Sequence, residues 1–148
     1  MAKGIKNPEF LNCLKKNKVR EFFQGKVLVK KELTIAGKDL FEVRESLERA
    51  KFKWATIQTY YSMFHAARAL LYNKNYREKS HYCLIVALKS LYVETGKLST
   101  HFVEGLQKGK RLRENADYYD EWSQIGAEKM IKMAEGFLKK AQEIIKEE

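Results

Sequence analysis

From Leu33 to Ala50 the apolar residues Leu33, Ala36, Leu40, Val43, Leu47 and Ala50 recur at alternating steps of three and four. That spacing lays one stripe along an α-helix and makes a seam for bundle packing, whereas a half-buried strand would need steps of two. A helix over roughly Leu28 to Ala50 follows, and it must find helical neighbours to cover the seam.

The rest of the chain supplies them. A short, basic helix is expected from Pro8, a first-turn position for proline, to Phe23, ending before Gly25. A third segment runs from about Phe52 to Tyr72 and stops at the polar turn Asn73-Lys74-Asn75. Ser80 reads as the N-cap of a fourth, with Leu84, Ile85, Leu88, Leu91 and Tyr92 on its apolar side before Gly96 stops it. A fifth covers about Ser99 to Asp120, and a sixth, about Gln124 to Lys146, repeats Ala127, Ile131, Ala134, Leu138, Ala141 and Ile145. Nothing reads as a strand pair. The chain is therefore expected to be all-α, an up-and-down antiparallel helical bundle of four to five long helices plus a short N-terminal helix. Residues 1–25 read as a basic N-terminal extension and 26–148 as the bundle domain.

With 148 residues, 45% of them hydrophobic, and a single proline, the chain has the size of one domain around one core. The N-terminal segment lacks a signal-peptide apolar region and no run of apolar residues is long enough to span a bilayer, so a cytoplasmic protein without membrane contact is expected. Cys13 and Cys83 stand far apart without a CxxC partner and read as two separate buried or half-buried thiols, with no disulfide, metal or cofactor implied. The formal charge is +10. The excess is concentrated in residues 1–31 and in Lys108-Gly109-Lys110-Arg111-Leu112-Arg113, an asymmetry that favours a polyanionic partner such as RNA.

Two patterns depart from ordinary core periodicity. In the third segment Ile57, Tyr60, Phe64, Ala67 and Leu71 form an apolar stripe, and beside it Tyr61, His65, Arg68 and Tyr72 form a second one able to stack, hydrogen-bond and carry charge. In the fifth, Phe102, Leu106, Gly109, Arg113 and Ala116 share a face, so Arg113 takes a place where periodicity asks for a core residue. Asp117 lies four residues on, within pairing reach. Around the helix Arg111, Asn115 and Tyr118, followed by Tyr119, make an aromatic and basic patch suited to bases and phosphates. His65, His81 and His101 fall on three different helices. His81 and His101 stand in first turns, and no Ser-His-Asp order or His ligand pair is present.

The residues Asp39-Leu40, Tyr60-Tyr61-Ser62-Met63-Phe64-His65-Ala66-Ala67-Arg68-Ala69-Leu70-Leu71, Ser80-His81 and Arg113-Glu114-Asn115-Ala116-Asp117-Tyr118 together resemble the HEPN domain in its small stand-alone archaeal and bacterial branch, over roughly residues 28–145. The resemblance implies a helical bundle that dimerises and often works beside a minimal nucleotidyltransferase encoded next door. Many members are metal-independent ribonucleases of toxin–antitoxin or defence systems, with an Arg, four to six residues, then a His on a late helix. The arginine carries over to Arg113, or to Arg111 in another register. The histidine does not: Asp117 and Tyr118 stand there, and a carboxylate titrating near about 4 cannot replace imidazole as a neutral-pH acid.

Three readings follow. The first is a homodimer whose cleft binds RNA or a nucleotide through Tyr61, His65, Arg68, His81, Arg111, Arg113 and Tyr118, as partner of a nucleotidyltransferase in a toxin–antitoxin-like system. The second is a divergent endoribonuclease using Arg113 and Asp117, with His65 or His81 supplying the acid. The third is a structural adaptor without ligand.

Overall fold

A computed structural model describes residues 4–148. In chain order its elements are α1 (Pro8–Lys15), β1 (Val19–Glu21), α2 (Gly25–Glu48), α3 (Phe52–Tyr72), β2 (Tyr76–Glu78), α4 (His81–Leu88, continued by a wider turn over Lys89–Val93), α5 (Thr100–Tyr118) and α6 (Gln124–Glu147). Side-chain oxygens start four of the helices: Asn7, Ser80, Ser99 and Ser123 accept from Phe10, Cys83, His101 and Gly126 N–H groups, satisfying donors that the first turn cannot pair internally.

The seam of α2 forms one side of a helical hairpin with α3. Only residues 49–51 join the two, and Ala50 turns the chain at φ 56°, leaving the helix that the three-four pattern would have carried through it. α3 is the central helix, packed against α2, α4, α5 and α6. Its Ala66, Ala67, Leu70 and Leu71 are fully buried, and Met63 fills the space opposite Gly109 of α5. A Cβ at Gly109 would come within 2.6 Å of the Met63 methyl, so the missing side chain sets how closely α5 approaches α3. On α6 the buried face includes Met130, Phe137 and Ile144 beside the expected residues, while Ile145 is half-buried.

Two expectations are corrected at the N-terminal end. The first helix ends at Lys15, and Val19–Glu21 pairs antiparallel with Tyr76–Glu78, in register Val19 with Glu78 and Glu21 with Tyr76. Three-residue strands are too short to show a period, and their pairing is non-local, so no sequence window contains it. Second, Cys13 and Cys83 form a disulfide, with Cα atoms 5.9 Å apart. Seventy residues of separation gave no hint of the meeting; the packing of α1 against α4 brings the two sulfurs together. Phe10, Cys13 and Val19 are buried in the same core as the bundle. No helix among the described residues is long and apolar enough to cross a membrane.

Candidate functional site: an arginine held by three tyrosines

Tyr60 and Tyr61 occupy successive positions of α3, so Tyr60 turns inward and Tyr61 reaches Arg113 of α5. Tyr60 is 6% exposed, and its hydroxyl lies 3.2 Å from His81 Nδ1 at the start of α4. Burial pushes the Tyr60 phenol up to about 12 in spite of the nearby Arg113 charge, so it stays protonated and shares a hydrogen bond with the imidazole whose direction follows the ring's tautomer. Burial likewise pushes His81 down to about 4, with Lys110 adding to the effect and Glu114 opposing it. The ring is thus neutral near pH 7. Nε2 on the other side of the ring has no hydrogen-bond partner among the described residues.

Arg113 reaches into this cluster from α5. Nη2 donates to the Tyr61 hydroxyl at 2.7 Å and Nη1 makes a longer contact, 3.4 Å, to the Tyr118 hydroxyl. The guanidinium carbon lies 5.4 to 5.7 Å from the ring centres of Tyr60, Tyr61 and Tyr118, so three aromatic faces surround one cation. Asp117 Oδ2 is 3.9 Å from Nε, too long for a hydrogen bond, and Nε is buried with no acceptor. An arginine has five N–H donors in a rigid fork, and this one uses few of them. It is positioned by phenols and only loosely balanced by a carboxylate.

Next to it, Lys108, Arg111, Leu112, Glu114, Asn115, Tyr118 and Tyr119 enclose a groove of about 360 Å³. Tyr118 and Tyr119 are 65% and 68% exposed, flat rings presented to solvent at the end of α5. Trp54 and Trp122 extend the exposed aromatic surface, with Lys53 lying over both rings and paired to Asp120.

A second polar cluster lies further along α3. Arg68 makes a two-pronged contact to Glu78 of β2, Nε to Oε1 at 3.3 Å and Nη2 to Oε2 at 2.8 Å, and its Nη1 is 3.7 Å from Glu32 Oε1. The same Glu32 oxygen meets His65 Nδ1 at 3.1 Å. Glu32 and Glu78 are both buried, and the Phe64 ring stacks 4.5 Å from the Arg68 guanidinium.

The family model for the HEPN domain matches residues 29–146. The chain belongs to the HEPN domain family. Among curated relatives, a protein of Methanocaldococcus jannaschii named "Putative toxin MJ0605" is 30% identical over 138 residues, 93% of this chain and 98% of the relative. An Archaeoglobus fulgidus "UPF0332 protein" is 32% identical over 106 residues, 70% of this chain and 84% of the relative.

Of the site residues expected from sequence, this HEPN chain brings Tyr61, Arg113, Asp117 and Tyr118 to one place and links His81 to them through Tyr60. Arg111 stands on the neighbouring groove. His65 and Arg68 are committed to Glu32 and Glu78 inside the chain, so Arg68 has its counter-charges without a second copy. Glu32 and Glu78 were missed. For Glu32 a signal existed: it lies four residues before Ala36, on the buried face of α2, where a carboxylate requires a cation. Glu78 had none, since it is placed by a strand that the sequence does not announce. Among the described residues no group of His, Cys, Asp and Glu is arranged to hold a metal ion.

Proposed function

We propose that this HEPN protein is a toxin-like RNA-binding module, in which single-stranded RNA, or a nucleotide, is gripped at Arg113 and stacked on Tyr118 and Tyr119. The observation that carries the reading is the Arg113 guanidinium, fixed by Tyr61 and in contact with Tyr118, whose exposed ring also lines the adjoining groove with Lys108 and Arg111 on its wall. A phosphate in this groove answers the positive charge of Lys108, Arg111 and the adjoining Arg113, and exposed phenol rings stack on any base, which suits a single strand. The names of relatives support the toxin-like part. Pairing of two copies across this face, and a minimal nucleotidyltransferase as partner, belong to the same proposal and rest on the family.

Fluorescence anisotropy with a labelled single-stranded RNA tests it. The protein should bind, weakening steeply between about 50 and about 200 mM salt. Arg113→Ala should lose roughly tenfold or more in affinity while keeping its helical circular dichroism. Unchanged binding by the variant, or affinity indifferent to salt, would remove Arg113 from the function.

A second reading, RNA cleavage, is favoured by one contact, Asp117 beside Arg113 at 3.9 Å, which places a base next to a cation that can stabilise a phosphorane-like charge. His81 is not the acid there, since a ring that titrates near 4 is already neutral at pH 7, and a neutral imidazole N–H is far too weak an acid to protonate a leaving group. If cleavage occurs, Asp117→Asn abolishes it and Asp117→His raises it; an intact product pattern with Asp117→Asn leaves binding as the activity.

A further inference from the structure

The two most exposed large apolar side chains among the described residues are close neighbours. Phe23 and Val27 are each 82% exposed, and they lie four residues apart at the corner where the chain leaves β1 and enters α2. Gly25 between them is pressed against the end of α3, where a Cβ would clash with the Tyr72 carbonyl. The corner is thus fixed in place. By helical rise it stands about 16 Å along α3 from Tyr61, so it does not depend on the Arg113 reading.

The strand pair beside it is charged on its outer face. Val19, Tyr76 and Glu78 are buried, so by the two-residue period of a strand the opposite face carries Lys18, Arg20, Arg77 and Lys79. Arg20 and Arg77 are directly opposite in the register, and the Lys79 N–H donates to the Lys18 carbonyl at 2.7 Å, which sets the two lysines level as well. Like charges placed opposite across an antiparallel pair destabilise it. No acidic residue shares this face, and among the described residues none of the four cations is in an ion pair. Glu78, on the inner face, is taken by Arg68, and Glu148 holds Lys74 and Lys97.

The basic surface continues onto α2. Lys30 and Lys31 follow Val27 by three and four residues, on its side of the helix, and the first turn of α2 has no acidic residue. Two apolar tips are therefore flanked by unanswered positive charge on both sides. A nucleic acid answers the cations and can stack a base on Phe23, but it leaves Val27 in water. An anionic bilayer answers all of them, since apolar tips enter the headgroup boundary while lipid phosphates meet the cations.

We propose that this corner docks the protein on an anionic lipid surface, with Phe23 and Val27 inserted at the headgroup layer and Lys18, Arg20, Lys31 and Arg77 against the phosphates. No helix among the described residues is long and apolar enough to cross a membrane, so the contact is peripheral.

Sedimentation of the full chain with lipid vesicles tests this. Vesicles of phosphatidylcholine and phosphatidylglycerol in equal parts should carry the protein down, and vesicles of phosphatidylcholine alone should not. Phe23→Ser/Val27→Ser, at positions outside the core, should keep the melting temperature and lose roughly tenfold or more in vesicle affinity. Arg20→Gln should weaken vesicle binding several-fold and raise the urea midpoint, because it relieves the repulsion of Arg77. Arg113→Ala should bind vesicles as the parent does, and Phe23→Ser/Val27→Ser should bind single-stranded RNA as the parent does, which separates this surface from the groove on α5. Failure to bind the mixed vesicles overturns the proposal. So does an unchanged vesicle affinity in Phe23→Ser/Val27→Ser, which would reduce the attraction to diffuse charge, or a loss of RNA binding in that variant, which would assign the corner to nucleic acid.

Discussion

Arg113 and Tyr61 are joined by a 2.7 Å hydrogen bond from Nη2 to the phenol oxygen, tying the last third of α5 to the middle of α3. The bond orients the guanidinium plane and leaves the charge nearly unbalanced, since the nearest carboxylate, Asp117, is 3.9 Å away and its side chain is 41% exposed. Tyr61→Phe should keep the fold, cost about 1 kcal/mol of stability, and weaken RNA binding less than Arg113→Ala, because the cation remains while its orientation is lost. Urea unfolding and anisotropy, measured on both variants, check the order. A Tyr61→Phe protein that binds as poorly as Arg113→Ala would mean that the phenol itself contacts the ligand.

Arg68 should behave in the opposite way. It balances two buried carboxylates, so Arg68→Met, which keeps most of the volume, strands Glu32 and Glu78 and should cost on the order of 3–5 kcal/mol. Stranded buried carboxylates protonate more readily, so the deficit should shrink as pH falls below about 5. A deficit that is small, or constant with pH, would show that the network contributes little to the fold.

The pH dependence of stability should carry a mark of His81. Its folded value, about 4, lies below the ordinary value of about 6.5, so between these limits the unfolded chain binds the proton more readily. The contribution is therefore complete above about pH 6.5, is lost as pH falls toward 4, and is level below that. For a half-buried ring, allowing for solvent screening, it amounts to on the order of 1–2 kcal/mol. His81→Gln should flatten the urea midpoint across this window; a variant whose slope matches the parent would assign the dependence to other groups.

Reduction of the Cys13–Cys83 bridge should destabilise the chain by about 2–4 kcal/mol, because the open chain regains the freedom of a long loop. The double variant Cys13→Ser/Cys83→Ser should match the reduced parent within about 1 kcal/mol. Unfolding midpoints with and without reductant give the answer, and coincident midpoints would mean that the burial of Phe10 and Val19 holds the N-terminal segment unaided.

Much of this protein follows from local pattern. The three-four spacing of Leu33 to Val43 and of Ala127 to Ala141 specifies helices whatever surrounds them, since each stripe must be covered by another apolar face. Ser80 before an apolar run marks a helix start because its hydroxyl answers a backbone N–H three residues on, a relation confined to one turn. The arginine at 113 also declares itself locally, since a cation on a core stripe demands partners. Which partners those are depends on contacts between elements. Tyr61 is 52 residues from Arg113, Glu78 is placed for Arg68 by a strand three residues long, and Cys13 meets Cys83 across seventy residues. The Lys74, Lys97 and Glu148 cluster is of the same kind, assembled from the ends of separate helices. Periodicity reports which way a side chain faces along its own helix. Charge balance, pairing and the shape of a site come from what stands opposite, and only the packing of the helices decides that.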